Sequence, residues 1–385
     1  SSPRLKQKGV NEFAASNSKQ AVKNFKESWK KEYGKDPETL VYMNNAFLEA
    51  NNIPYYTISV AIPIGSKNPD SPTHLSDQVK EVLRGVAQAQ TEVNLRLSNS
   101  SNNNDFPGAG FLQGKAINGK GIKVILADDA NDREEAKQKA SLLVNQPDIL
   151  AVIGHTNSEM TIHAVDIYNK NNLVLMSSGA ATEELTHEPR KFFFRTQYTS
   201  SLIATSLADH LLVKNQKQAV ILYNQANAFG SSFYEEFKKY FETQGGKIIR
   251  IRDFDLSKKD FNAQRAIKEI GAKGETAIAL VPDAQVTNSL NNAFEIVKLN
   301  QDRNWIVGAW TLMRSETLEI ASQSQQKLLK KLILSVGWHP LSSPNKEFPQ
   351  QSRSLWRGEV NTRTASAYDS TRALIKVLEM QQKPS

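Results

Sequence analysis

The 385-residue chain contains no cysteine. Disulfides, thiolate nucleophiles and cysteine-ligated metals are therefore excluded. No run of eighteen apolar residues occurs, so no membrane-spanning helix is encoded. The opening SSPRLKQKGV has no apolar stretch of the kind a signal peptide carries, as expected of a mature or trimmed chain. Neither a phosphate-binding glycine loop nor a dinucleotide fingerprint is found. The net charge of +8 arises partly from lysines in residues 4–35, which alternate with acids on what reads as helix surface. A dense basic patch on a recognisable nucleic-acid module is missing, so a solvated basic face is expected and nucleic acid is not an expected partner.

What is present suits a water-facing globular chain, with 39% hydrophobic and 23% charged residues. The length exceeds one ordinary core and predicts two or three units. Residues 5–52 form the first. Gly9, Phe13, Ala21 and Phe25 recur at spacings that fit a helical hairpin, with Trp29 one turn further on, and Pro37 opens a second helical run. This spacing resembles a tetratricopeptide unit, although the stretch before Pro37 is longer than that pattern allows. A single unit cannot bury its apolar face alone, so it packs on the next domain or ends a longer array; the alternative is a plain helical N-terminal extension with no partner. A protein partner docking through residues 5–52 is the corresponding expectation.

From Tyr55 the pattern becomes alternating strand and helix. Strands are predicted at 55–65, 122–127, 149–153 and 173–176, with helices at 75–94, 133–145 and 159–170 between them. The polar segment 98–110 reads as a surface loop. After FFFRTQYTSS (192–201) a second series follows. Its helices are expected at 201–213, 230–244, 260–271 and 285–299, and its strands at 218–223, 247–251, 276–281 and 304–308. A strand at 332–340 leads into a proline-rich stretch, and a helix at 362–380 closes the chain. Repeated βα units with apolar strands imply parallel sheets covered on both faces.

The most informative segment is 152–186, VIGHTNSEMTIHAVDIYNKNNLVLMSSGAATEELT. An apolar strand (Leu150 to Ile153) runs into Gly154 and a polar cluster, and a second (Leu173 to Met176) ends in a small-residue turn, Ser177 to Thr182. Two strands of one sheet thus deliver hydroxyls and glycines to the same carboxyl edge, where ligands sit in open α/β sheets. A helix starting near Ser158 would direct free N–H groups at an anionic group there.

This segment, together with KVILADDANDREEA (123–136) upstream, resembles the leucine/isoleucine/valine-binding protein family, the type I periplasmic receptors of ABC transporters. The likeness extends over roughly residues 55–380. It implies an α/β fold of two doubly wound parallel-sheet lobes joined by a hinge, preceded here by the small α-helical extension. Expected boundaries are 1–53 for the extension, 54–200 plus 337–385 for lobe one and 201–336 for lobe two. Crossings between lobes are expected near 200, near 337 and after 380; the family continues for further strands where this chain stops.

The family grips an amino acid's α-carboxylate through a serine hydroxyl and backbone N–H groups at the first turn, and a threonine in the second. By position Ser158 matches the serine, and Gly179 and Ala180 the backbone contacts; Asn157 and Ser158 also suit the helix cap. The threonine falls on Ala181, with Thr182 one place later. The family's ammonium-binding carboxylate falls on Trp310, whose indole can hold a cation or stack on an aromatic ligand. Asp283 could supply the negative charge from a neighbouring strand end, or serve as a turn residue after Pro282. Phe229 matches a tyrosine that lies against the ligand, keeping the ring and losing the hydroxyl. The loop Gly65 to Pro72 should border the cleft without the family's Ser-Gly-Pro signature.

Catalysis is not expected. His155 near Ser158 invites a Ser-His reading, but no glycine-flanked nucleophile elbow surrounds the serine. Asp128, Asp129 and Asp132 lack the glycine and terminal glutamate of a calcium loop, and in the family this turn caps a helix. No cofactor and no metal are expected. The resemblance implies an extracytoplasmic receptor, membrane-anchored or secreted in full length, that captures a small carboxylate and presents its closed form to a permease. An amino acid with an apolar or aromatic side chain is the first expectation, and an amine-free organic acid follows if Asp283 does not reach an ammonium. The competing expectation is a ligand-binding sensor or scaffold domain of a signalling protein.

Overall fold

Two open sheets of five strands, with every pairing between them parallel, carry the architecture. The computed structural model describes residues 2–32, 35–65, 75–97, 106–283, 285–323 and 329–381. In lobe one, β1 (Tyr55–Ile62), β2 (Gly121–Asp128), β3 (Ile149–Ile153), β4 (Val174–Ser177) and β5 (Phe193–Arg195) stand in the order β2-β1-β3-β4-β5. In lobe two, β6 (Gln218–Tyr223), β7 (Lys247–Ile248), β8 (Ala277–Val281), β9 (Ile306–Ala309) and β10 (Leu332–Ser335) stand in the order β10-β9-β8-β6-β7. Counted along the chain, both lobes follow one scheme. Each reverses its strand order once, between β1 and β3 and between β6 and β8. A crevice opens at that switch point beyond the strands' carboxyl ends.

The helices are α1 (Ser2–Ala14), α2 (Ser18–Lys31), α3 (Pro37–Ala50), α4 (Leu75–Asn94), α5 (Arg133–Val144), α6 (Ser158–Lys170), α7 (Glu184–His187), α8 (Ser200–Val213), α9 (Ala228–Thr243), α10 (Ala263–Ala272), α11 (Thr287–Asn300), α12 (Ser315–Gln323), α13 (Glu347–Trp356) and α14 (Thr362–Met380). The chain passes from lobe one to lobe two at 196–199 and returns at 336–339, after which α14 lies along α4. Their approach is close: a Cβ on Gly85 of α4 would stand 2.3 Å from the Thr364 carbonyl oxygen of α14.

The N-terminal helices are built into lobe one. Ala21, Phe25, Trp29, Leu40, Val41 and Leu48 share one apolar core with Ile58, Val60 and Ile122 of the sheet. Asp36 accepts from the N–H groups of Glu38 and Thr39 and, with Pro37 next to it, starts α3. Strand β2 lies at the edge of its sheet, and two asparagines occupy the place of a missing strand. Asn45 of α3 accepts from Val124 N–H (3.0 Å) and donates to Val124 C=O (2.8 Å). Asn94 of α4 does the same to Ile122, at 2.9 and 3.0 Å. A half-bonded edge invites pairing with another chain, and these amides close it.

Most elements fall where the periodicity puts them, with α4 matching to the residue. The strand expected at 247–251 pairs over two residues only, because β7 is an edge strand with one neighbour. Strand β5 and helices α12 and α13 were not anticipated; each is short, and α13 carries Pro349 in its first turn, which reads as loop by composition although a first turn tolerates it.

Candidate ligand-binding cleft

Both switch points face one another across a cleft of about 620 Å³, part of it open to solvent. Lobe one contributes Gln78 and Val82 from α4, Thr156 to Ser158 after β3, Ser178 and Gly179 after β4, and Arg363 from α14. Lobe two contributes Asn227 and Phe229 after β6, Asp283 and Gln285 after β8, and Trp310 and Thr311 after β9. Gly179 allows the two lobe-one turns to touch, since a Cβ there would lie 2.1 Å from the Thr156 carbonyl oxygen.

Asn157, Ser158, Gly179, Phe229, Asp283 and Trp310 line the cleft together. Ala180, Ala181 and Thr182 stand behind its wall. Ala180 and Ala181 are fully buried in the apolar cores, and Thr182 borders a separate groove between the lobes. The reason is local: the turn satisfies its own amides. Ser158 Oγ accepts from the N–H of Ala181 (3.0 Å) and Thr182 (3.2 Å), and Ser177 Oγ accepts from Ala180 N–H (3.1 Å). Asn157 caps α6 by accepting from Met160 N–H and donates to Asn131. Of the loop Gly65 to Pro72, residues 66–72 lie outside those described, and so does the greater part of the polar segment 98–110.

The lobe-two wall is aromatic. The rings of Phe229 and Trp310 lie 4.9 Å apart, tilted by 54°, with most of each ring covered. Asp283 is the single acid among the described residues that line the cleft. Its Oδ1 accepts from the N–H groups of Gln285 (2.7 Å) and Val286 (3.1 Å), and its Oδ2 from Asn224 (2.9 Å). Burial pushes its carboxyl above the ordinary range, against those hydrogen bonds, which favour the ionised form. It closes the turn ahead of α11 while one face borders the cleft.

The residues that sequence reasoning passed over are mostly polar: Gln78, Thr156, Ser178, Asn227, Gln285, Thr311 and Arg363. Three of them hold buried polar atoms without a partner among the described residues, namely Gln78 Nε2, Thr156 Oγ1 and Thr311 Oγ1. Arg363 had one local signal. It stands in the first turn of α14, where a cation opposes the helix dipole, and so owes its place to something outside the helix.

His155 does not activate Ser158. Its Nδ1 meets Asp129 at 2.6 Å and its Nε2 faces Tyr168 Oη at 3.4 Å, all three side chains being buried. Asp132 caps α5, and Asp128 accepts from the N–H groups of Ile64, Gly65 and Ala130. Across the separate groove between the lobes, Glu159 of α6 pairs with Arg133 (2.7 Å) and accepts from Ala228 N–H (3.2 Å) at the start of α9.

A family described as periplasmic binding protein matches residues 109–385. An amino acid binding protein of Pseudomonas aeruginosa is 25% identical over 162 residues, a match spanning 42% of this chain and 43% of the relative. In fold, the chain is similar to the branched-chain amino acid transporter substrate binding protein LivJ of Streptococcus pneumoniae, crystallised with isoleucine. The TM-score is 0.64 at 21% identity, covering 84% of this chain and 83% of the other. It is also similar to a solute binding protein of an ABC transporter from Rhodopseudomonas palustris, in complex with 3,4-dihydroxybenzoic acid. That TM-score is 0.63 at 17% identity, covering 85% and 81%. With two lobes in parallel-sheet form, a cleft at their facing switch points and a family match over most of its length, the chain belongs to the periplasmic binding protein family.

Proposed function

We propose that the chain is an extracytoplasmic solute receptor of an ABC transporter, capturing a small carboxylate between its lobes by hinge closure. The observation that carries this reading is the composition of the cleft wall. An aromatic face, Phe229 and Trp310, stands beside buried polar atoms that have no partner among the described residues. Buried polar groups are nearly always hydrogen-bonded, so a solute that presents oxygens to those atoms and an apolar body to the rings completes the site. Asn157, Ser158 and Gly179 would border it from lobe one, and Asp283 from lobe two.

The relatives point the same way. Those named above bind an amino acid or an aromatic acid, and both classes carry a carboxylate on an apolar or aromatic body. They are transport proteins, which favours transport over signalling. The satisfied environment of His155 and Ser158 supports binding without chemistry. The closed form would be what a permease recognises.

A thermal-shift screen with amino acids and small organic acids tests the proposal. Solute at a hundred times its dissociation constant adds about 2.7 kcal/mol and raises the melting midpoint. Trp310→Ala should abolish the shift for aromatic and large apolar solutes. A screen without response in either set would remove the proposal.

A further inference from the structure

We propose that the anionic group of the solute is seated by Arg363, with Gln78 Nε2 and Thr311 Oγ1, and that the solute is a carboxylate with no ammonium group beside it. This rests on the reading of the cleft as a carboxylate receptor and names the solute class.

The lobe-one turns are poor candidates for the seat. Their amides at Met160, Ala180, Ala181 and Thr182 are taken by Asn157, Ser177 and Ser158. Among the described lining residues, the donors without partners are Thr156 Oγ1 in the first turn, and Gln78 Nε2 and Thr311 Oγ1, which share the cleft with Arg363. Arg363 is the one base among the lining residues, and no carboxylate of the described residues lies within ion-pair distance of it. Two of its five N–H donors are fixed by lobe two: Nη2 donates to the Trp310 carbonyl (3.1 Å) and Nη1 to the Met313 carbonyl (3.3 Å). Glu81, which acts on it electrostatically, is occupied by Arg84 (2.7 Å) and the Thr364 hydroxyl (2.5 Å). Gln78 is 6% exposed and Thr311 5%, and Gln78 Nε2 and Thr311 Oγ1 stand unpaired on the same cavity. A guanidinium flanked by an amide N–H and a hydroxyl is a complete carboxylate seat.

The electrostatics oppose an ammonium at that end. Arg314 borders an adjoining cavity that shares Gln78 and Arg363; its Nε donates to the Thr311 carbonyl (2.9 Å) and its Nη2 is buried without a partner. Burial, then the nearby Arg314, push the Arg363 guanidinium down to about 9, so it stays charged at neutral pH. An α-ammonium beside the seated carboxylate would stand against the Arg363 guanidinium, while Arg314 in the adjoining cavity is offset by Asp77, Glu81 and Glu316. The one acid among the described lining residues, Asp283, already has both oxygens bonded by the protein.

Calorimetric titration of the full chain with two matched pairs tests this: 4-methylpentanoate against leucine, and 3-phenylpropanoate against phenylalanine. In each pair the deaminated member should bind about tenfold tighter or more, as expected when a charge meets like charge in a desolvated site. Arg363→Gln should weaken the deaminated acids by about tenfold or more and collapse the difference within each pair, and Arg363→Lys should restore part of both. Should Arg363→Gln fail to melt cooperatively, Gln78→Leu serves in its place and should weaken the same acids severalfold. Tighter binding of leucine and phenylalanine than of their deaminated partners would overturn the inference and leave the receptor reading standing. So would unchanged binding in Arg363→Gln. Silence of all four probes on the unaltered chain would overturn both.

Discussion

Ser158 Oγ accepts from two buried amides, so its removal is felt by the turn before it is felt by any solute. Ser158→Ala leaves the N–H groups of Ala181 and Thr182 unsatisfied, and unfolding free energy in a urea titration should fall by about 2 kcal/mol. Its match to the family's serine was legible; that its hydroxyl turns inward was not, because the partners lie a helix and a strand further along. Glu92 on α4 behaves in the opposite sense. Burial pushes its carboxyl up to about 7, against the help of Tyr368, whose hydroxyl donates to both oxygens at 2.8 and 3.1 Å. The folded protein therefore holds this proton more tightly than the unfolded chain, where the ordinary value is 4.5. Stability from this group is full at acidic pH and falls as pH climbs from about 4.5 to 7, by at most about 3 kcal/mol. Glu92→Gln should flatten that part of the stability-versus-pH curve, measured by urea melts from pH 4 to 8.

Among elements, the edge of β2 shows how far pattern reading reaches. Helices α2 and α3 were legible from Phe25, Trp29 and Pro37, and the need for this segment to pack on something followed from its apolar face. What it packs on was not legible. Asn45 and Asn94 read as ordinary polar helix positions, and their pairing with Val124 and Ile122 depends on the docking angle of two helices on a strand some 30 to 80 residues away. Each asparagine satisfies two backbone groups of the strand. Asn45→Ala or Asn94→Ala should each cost about 2 kcal/mol in unfolding free energy. The double variant, with its edge half-open, should scatter light during refolding where the parent does not. The α14–α4 contact had the same fate: both helices were foreseen, yet the placing of Arg363 beside Gln78 arises from two segments almost three hundred residues apart.

For the whole molecule, the described residues join the lobes through several polar links, and Glu159 makes one of them. It ties Arg133 of lobe one to the first amide of α9 in lobe two, where the positive end of the helix dipole favours a carboxylate. Glu159→Gln weakens that tie without changing shape. Small-angle scattering of the solute-free variant should give a larger radius of gyration than the parent, and saturating solute should bring the two together. The two crossings of the chain bear also on the order in which the protein is made. Strands β6 to β10 lie in one unbroken stretch, so these five strands can pair once residue 335 has left the ribosome. Lobe one begins first in sequence yet draws Phe348, Trp356, Ile375 and Leu378 into its core. Its earlier part must wait, with apolar surface uncovered, until the final helix arrives. Vectorial synthesis thus delivers strands β6 to β10 before the helices that cover lobe one, and the newborn chain's need for chaperone cover falls on residues 37 to 195.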